Sequence, residues 1–231
     1  MSLEQLPLGF RLRDDATFAS FLPTGNEQVL SAVMNNVRGI GDPFIYIWGP
    51  VASGRSHLLQ ATCHAAPEFR QTVVYLPLDI PSKLTPDLFG GLENVDLVCI
   101  DDVEKISGNP VWEEKLFHLF NRIRANNKRL IIAADAPPTT LKIILPDLKS
   151  RLSWGVVYQL NVLNDEQKLA ALQLRAQCRG LDLDPAVGRF MLRRCPRNMV
   201  ELFSMLEQLD QASLAEQRRL TIPFVKEVLG V

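Results

Sequence analysis

The sequence predicts a three-layer α/β domain on a five-stranded parallel sheet, followed by a small all-helical subdomain. Five strand-like runs punctuate the first two thirds of the chain, at 44–48, 72–76, 97–100, 130–134 and 156–160. Three of them are near-continuously apolar, as parallel strands covered on both faces must be. Helical patterns lie between several of these runs, and beyond Leu160 only helical patterns remain. Strands alternating with helices require helices on both faces of the sheet.

The first strand, Phe44-Ile45-Tyr46-Ile47-Trp48, runs into Gly49-Pro50-Val51-Ala52-Ser53-Gly54-Arg55-Ser56, and His57-Leu58-Leu59 continues as a helix. Strand, glycine-bounded loop and helix are the context of a phosphate-binding loop. Gly49 and Gly54 permit the tight backbone path, and the helix N-terminus adds positive potential. Ser56 stands where a hydroxyl would hold Mg²⁺. Arg55 replaces the usual lysine; it neutralises phosphate but cannot supply lysine's compact point contact. Nucleotide binding is therefore expected to survive, and self-catalysed hydrolysis does not follow.

The third strand run ends in Asp101-Asp102. A buried strand delivering carboxylates to the loop edge supplies the second half of a nucleotide site: Asp101 supports Mg²⁺ through its water shell, and Asp102 orients a water. A helix over 111–125 follows, with Trp112, Leu116, Leu119, Phe120 and Ile123 at helical spacing. The fourth run ends at Asp135, which either reaches a terminal phosphate or simply closes a strand before Pro137-Pro138. Before the fifth run stand Lys149 and Arg151, which read from composition as solvated charge and from position as a face for an adjacent subunit. In the last third, Asn164 and Gln167 form a capping box for a helix ending near Gly180. Further helices are expected to open at Asp184-Pro185 and at Pro196, with a short last one over 220–229.

For a chain of 231 residues, a formal net charge of -1 argues against a surface built mainly for wrapping duplex DNA and leaves room for a local basic patch. The four cysteines, Cys63, Cys99, Cys178 and Cys195, form no Cys-x-x-Cys pair. That usage fits a reducing cytosol and no zinc site. No signal peptide is visible, and no apolar run approaches the ~20 residues needed to span a bilayer. The expected location is cytoplasmic.

Asp15-Ala-Thr-Phe18-Ala-Ser-Phe21 followed by Asn26, then Ile100-Asp-Asp102, Phe117-His-Leu-Phe-Asn121, Asp135-Ala-Pro-Pro138 and Leu148-Lys-Ser-Arg151, resembles the AAA+ module of the bacterial initiator DnaA, in matching order over nearly the whole chain. The Gly54-Arg55-Ser56-His-Leu-Leu run and the segment 220–228 are especially similar to the Hda family, DnaA-related regulators that inactivate the initiator. The initiator's DNA-binding helix-turn-helix and its N-terminal interaction domain have no counterpart here. The resemblance implies bound ADP or another nucleoside diphosphate with Mg²⁺. It implies DnaA as partner, with Arg151 acting in trans as an arginine finger on DnaA-bound ATP, and an exposed finger also permits self-assembly into a homo-oligomer. Gln5, Leu6, Leu8 and Phe10 resemble the peptide with which bacterial proteins dock on the sliding clamp, the DNA polymerase III β subunit; DNA is then met mainly through the clamp. A core-packed or disordered tail is the alternative. Pro196-Arg197 is similar to the Pro-Arg sensor of other AAA+ proteins, which nominates Arg197 for the phosphates; a surface arginine at a helix start is the other reading. The implied division is a clamp-binding peptide over 1–12, the AAA+ nucleotide-binding domain over 13–161 and a helical lid over 162–231. An autonomous ATPase and a DNA-binding initiator paralogue are the rival functions.

Overall fold

The computed structural model describes residues 12–79 and 84–231. Five parallel strands, β1 (Phe44–Trp48), β2 (Val73–Pro77), β3 (Leu97–Asp101), β4 (Arg129–Ala134) and β5 (Val156–Gln159), form one sheet in the order β2-β3-β4-β1-β5. All five lie within a residue or two of the runs expected from the sequence. Side chains alternate across the strands as the pleat demands. Tyr46, Val98, Ile100, Leu130 and Ile132 enter the core on one face, with the helices α3 (Pro110–Ala125) and α4 (Pro146–Leu152). Ile45, Ile47, Leu97, Cys99, Ile131 and Ala133 enter the core on the other, with α1 (Glu27–Val37) and α2 (Arg55–Ala65).

The expected helix of the second layer begins one residue early, because Asn109 caps it by accepting from Val111 N and Trp112 N and Pro110 fits the first turn. The last third holds α5 (Asp165–Cys178), α6 (Pro185–Arg194), α7 (Met199–Glu216) and α8 (Ile222–Leu229), around a core of Leu172, Met191, Leu202, Leu206 and Phe224. The capping box at Asn164 and Gln167 is present, and Asp184 caps α6. The third helix does not open at Pro196. It opens at Met199, because the Asn198 carboxamide caps Val200 N at 2.9 Å and leaves Pro196 and Arg197 in the connection. No helix among the described residues is long and apolar enough to cross a membrane.

At the amino ends of the strands, Asp96 fastens three of them together. One carboxylate oxygen accepts from Thr72 N at 2.9 Å and Thr72 Oγ1 at 2.7 Å, the other from Lys128 Nζ at 2.8 Å. Lys128 first, and then the two Thr72 bonds, hold the carboxyl down at about 2 against an ordinary 3.8. The unfolded chain thus binds this proton more readily than the folded one. The stabilisation is complete above the unfolded value and disappears as pH falls through about 2. The side chain is 34% exposed, so screening reduces it to about 1 kcal/mol. Urea titrations of the wild type and Asp96→Asn should accordingly differ by about 1 kcal/mol at pH 6 and converge as the pH approaches 2.

Candidate functional site

The loop after β1 is shaped by contacts that exclude side chains. A Cβ on Gly49 would lie 2.7 Å from Ser53 Oγ and 3.0 Å from the Leu160 carbonyl oxygen. Gly54 stands at φ +100°, where a Cβ would meet the Phe21 ring at 2.9 Å. Ala52 also takes a left-handed φ of 66°, a strain that a non-glycine residue bears mainly at functional turns. Ser53 N donates to Pro50 O at 3.1 Å, closing the turn. Gly54 is the N-cap of α2, and no side chain caps that helix, so its first amide N–H groups and positive end are open to an anion. The buried Ser53 Oγ has no hydrogen-bond partner among the described residues. An uncapped eleven-residue helix behind a strained, glycine-bounded turn fits a phosphate group.

Beside the loop, β4 separates β1 from β3, and the carboxyl ends of β3 and β4 bring their acids to the same rim. Asp101 is fully buried. It accepts from Tyr75 Oη at 2.9 Å and from Asp102 N at 3.0 Å. Burial, and then the Asp102 charge, push its carboxyl up, against the opposing hydrogen bonds of Ser56 and Tyr75 and the Arg55 charge. Asp102 follows at φ 55°. That left-handed turn puts its Oδ1 3.3 Å from Arg55 Nη2, while Arg55 Nη1 lies 3.8 Å from Glu104 Oε1. His57, behind the loop, bonds through Nε2 to Thr17 O at 2.7 Å, and burial pushes it down to about 4. It is a neutral imidazole tying α2 to the preceding segment.

A cavity of about 420 Å³ lies over this rim. The lid supplies its apolar wall through Leu163, Ala171, Met199, Val200 and Phe203. Of the residues nominated from the sequence, Val51, Ala52, Ser53, Gly54, Arg55, Ser56, His57, Asp102 and Asp135 line it. Gly49 and Pro50 shape the loop from behind, and Asp101 sits beneath the rim. Arg197 is elsewhere: 62% exposed, its Nη1 lies 3.4 Å from Asp165 Oδ2. Arg151 is on α4, remote from the cavity. Gln5, Leu6, Leu8 and Phe10 lie outside the described residues.

Residues 12–159 match the family model described as the bacterial DnaA ATPase domain, well over half of the chain. The chain belongs to that family. Residues 165–229 match the Hda lid domain, so this is a DnaA-related AAA+ protein with an Hda-type lid. Domain III of the Thermotoga maritima replication initiation protein DnaA superposes with a TM-score of 0.78 at 23% identity, over 96% of this chain and 98% of that one. AMPPCP-bound DnaA from Aquifex aeolicus gives 0.70 at 25%, over 86% and 66%. The Thermotoga maritima RuvB Holliday junction branch migration motor shares the fold at 0.64 and 14%, over 91% and 69%.

Among the cavity residues of this AAA+ protein that escape a reading of the sequence are Glu104 and Arg175. Glu104 follows the paired acids closely, and its charge is the signal that could have found it. Arg175 is a charge on the buried face of α5, between Leu172 and Ala176, and a charged residue on an apolar face is itself a signal. It is 2% exposed and in contact with Asp15 Oδ2, and its guanidinium stacks over the Phe203 ring at 4.4 Å. Arg179 Nη2 reaches the same Asp15 oxygen at 2.8 Å, and its Nη1 reaches Asp210 Oδ2 at 3.3 Å. Burial alone would raise the Asp15 carboxyl; Arg179 and Arg175 outweigh it and hold it low. Removing the buried cation should therefore leave Asp15 to Arg179 and Arg13 and open a hole beside Phe203 where the guanidinium was packed. Arg175→Ala is expected to cost on the order of 3 kcal/mol in urea unfolding. A double-mutant cycle with Asp15→Ala should assign most of that loss to the pair.

Proposed function

We propose that this protein regulates the initiator DnaA and is not a motor in its own right. It holds ADP, or another nucleoside diphosphate, in the cavity between loop and lid. It docks on the sliding clamp, the DNA polymerase III β subunit, through Gln5, Leu6, Leu8 and Phe10, and presents Arg151 to ATP bound by DnaA. DNA enters through the clamp, and the setting is the cytoplasm. The observation that carries this reading is the place of Arg151. It borders a crevice with Phe44 and Gly155, at the start of β1, whereas the phosphate loop follows the end of β1. Four strand steps of about 3.3 Å separate those ends by roughly 13 Å. The Arg151 guanidinium makes no hydrogen bond or ion pair among the described residues. A cation free of partners and away from the chain's own phosphate loop suits a neighbour's phosphates, and the same freedom permits self-assembly.

In the chain's own site the residues take holding roles. The loop N–H groups and the start of α2 receive phosphate oxygens. Ser56, with Asp101 behind its water shell, would hold Mg²⁺, which would supply positive charge to offset that of the phosphates. Arg55 is drawn to carboxylates, and Asp102, the candidate for orienting a water, is engaged by it. That favours retention of nucleotide over its hydrolysis.

The test is ATP hydrolysis by DnaA with and without this protein, its ADP and DNA-loaded clamp. Stimulation should require the clamp and disappear when Gln5 and Leu6 become alanine. Arg151→Ala should keep nucleotide and clamp binding yet lose ~10³-fold or more of the stimulation, within the range of known arginine fingers. Stimulation surviving that change removes the finger assignment, and turnover by this chain alone favours an autonomous ATPase.

A further inference from the structure

The rim of the cavity carries an arrangement that the holding role alone does not require. Arg55 is 7% exposed, and its two terminal nitrogens face two carboxylates, Asp102 at 3.3 Å and Glu104 at 3.8 Å. Glu104 is itself fixed. Its Oε2 accepts from Asp135 N at 3.2 Å, which ties the residue after β3 to the end of β4, and its side chain is only 14% exposed. The guanidinium is thus held at the acid side of the rim, and the phosphate loop keeps its backbone N–H groups for the anion.

Charge decides what this rim will accept. Asp102, Glu104 and Asp135 line the side formed by the ends of β3 and β4 against Arg55 and Lys105, with Asp101 beneath, while the cavity's other arginines, Arg13 and Arg175, are paired with Asp15. Negative charge prevails, and Asp102 and Asp135 both press the Glu104 carboxyl upward after burial has begun to do so. A diphosphate on the loop and helix start leaves the Arg55 pairs intact. A third phosphate extends toward these acids; it must either pull Arg55 away from both carboxylates or lie unpaired beside Glu104. Like charges brought together in a partly buried site repel strongly until a cation compensates.

We propose that Glu104 sets the number of phosphates this site accepts: by holding Arg55 together with Asp102, it selects nucleoside diphosphates over triphosphates. The proposal rests on the nucleotide-binding reading above. It makes Glu104 a specificity-determining residue, and glutamine there is the informative change, because a carboxamide oxygen can still accept from Asp135 N while the charge is gone.

The experiment is calorimetric titration of the full-length protein with Mg-ADP and with the Mg complex of a non-hydrolysable ATP analogue. Glu104→Gln is measured alongside the wild type, with thermal melting to verify that both are folded. The wild type should bind ADP at least ~10-fold more tightly than the analogue, and Glu104→Gln should narrow that ratio about 10-fold, chiefly by gaining affinity for the analogue. Equal wild-type affinities, or a ratio that Glu104→Gln leaves unchanged while both nucleotides bind, overturn the selectivity role and leave the nucleotide site standing. Binding of neither nucleotide to the folded wild type overturns the nucleotide site itself.

Discussion

The cavity exists only because the lid is docked, and the docking turns on Asp15. That carboxylate stands in the segment before α1, yet it pairs with Arg175 and Arg179 of the lid, and Arg179 passes the connection on to Asp210. Burying a guanidinium is costly unless the charge is paired and its nitrogens are bonded. Arg175 has the charge pairing through Asp15, and its guanidinium lies over the face of Phe203. Such a cluster adds little net stability over an apolar substitute, but it has one geometry that satisfies it. Position is what a site made from two subdomains needs. With this angle fixed, Leu163, Ala171, Met199 and Phe203 become a wall facing the phosphate loop.

The same segment also reports on the other side of the site. Arg13 N donates to Gln60 Oε1, Gln60 Nε2 to Tyr75 Oη, and Tyr75 Oη to Asp101 Oδ2. Thr17 O takes the His57 bond one residue beyond Ser56. The residues before α1 are thus bonded to the phosphate-loop helix, linked to the buried acid of β3 and ion-paired with the lid, all within five positions. A ligand that shifts any of the three elements acts on this segment.

Most of the sheet was legible because parallel strands buried on both faces carry an unbroken apolar signature. The phosphate loop was legible because Gly49 and Gly54 occupy positions where a Cβ collides with Ser53 or Phe21. The order of the strands was not legible: nothing in the periodicity of 129–134 says that β4 inserts between β1 and β3, although that insertion brings Asp135 next to Asp102. The start of α7 was misread because proline is a strong local signal, whereas the decisive group was the Asn198 carboxamide two residues later. Arg197 was nominated on the same local pattern, and tertiary pairing with Asp165 takes it to the surface. Arg175 and Glu104 matter through partners 160 and 49 positions away, Asp15 and Arg55, and a one-dimensional pattern does not contain those pairings.

Arginine at position 55 is then more than a conservative exchange. A lysine offers one compact charge and can follow a phosphate; a planar guanidinium can be shared between two fixed acids. Once Asp102 and Glu104 share it, the loop retains its backbone donors and its helix end, which are enough to hold an anion, while its most mobile cation is committed to the protein. Arg151 shows the opposite condition at the far end of β1, uncommitted among the described residues. In the proposed function one cation fixes the resident site and the other serves a neighbour. That proposed division would separate holding a nucleotide from helping to cleave one, and its basis is where the acids of β3 lie and where α4 enters β5.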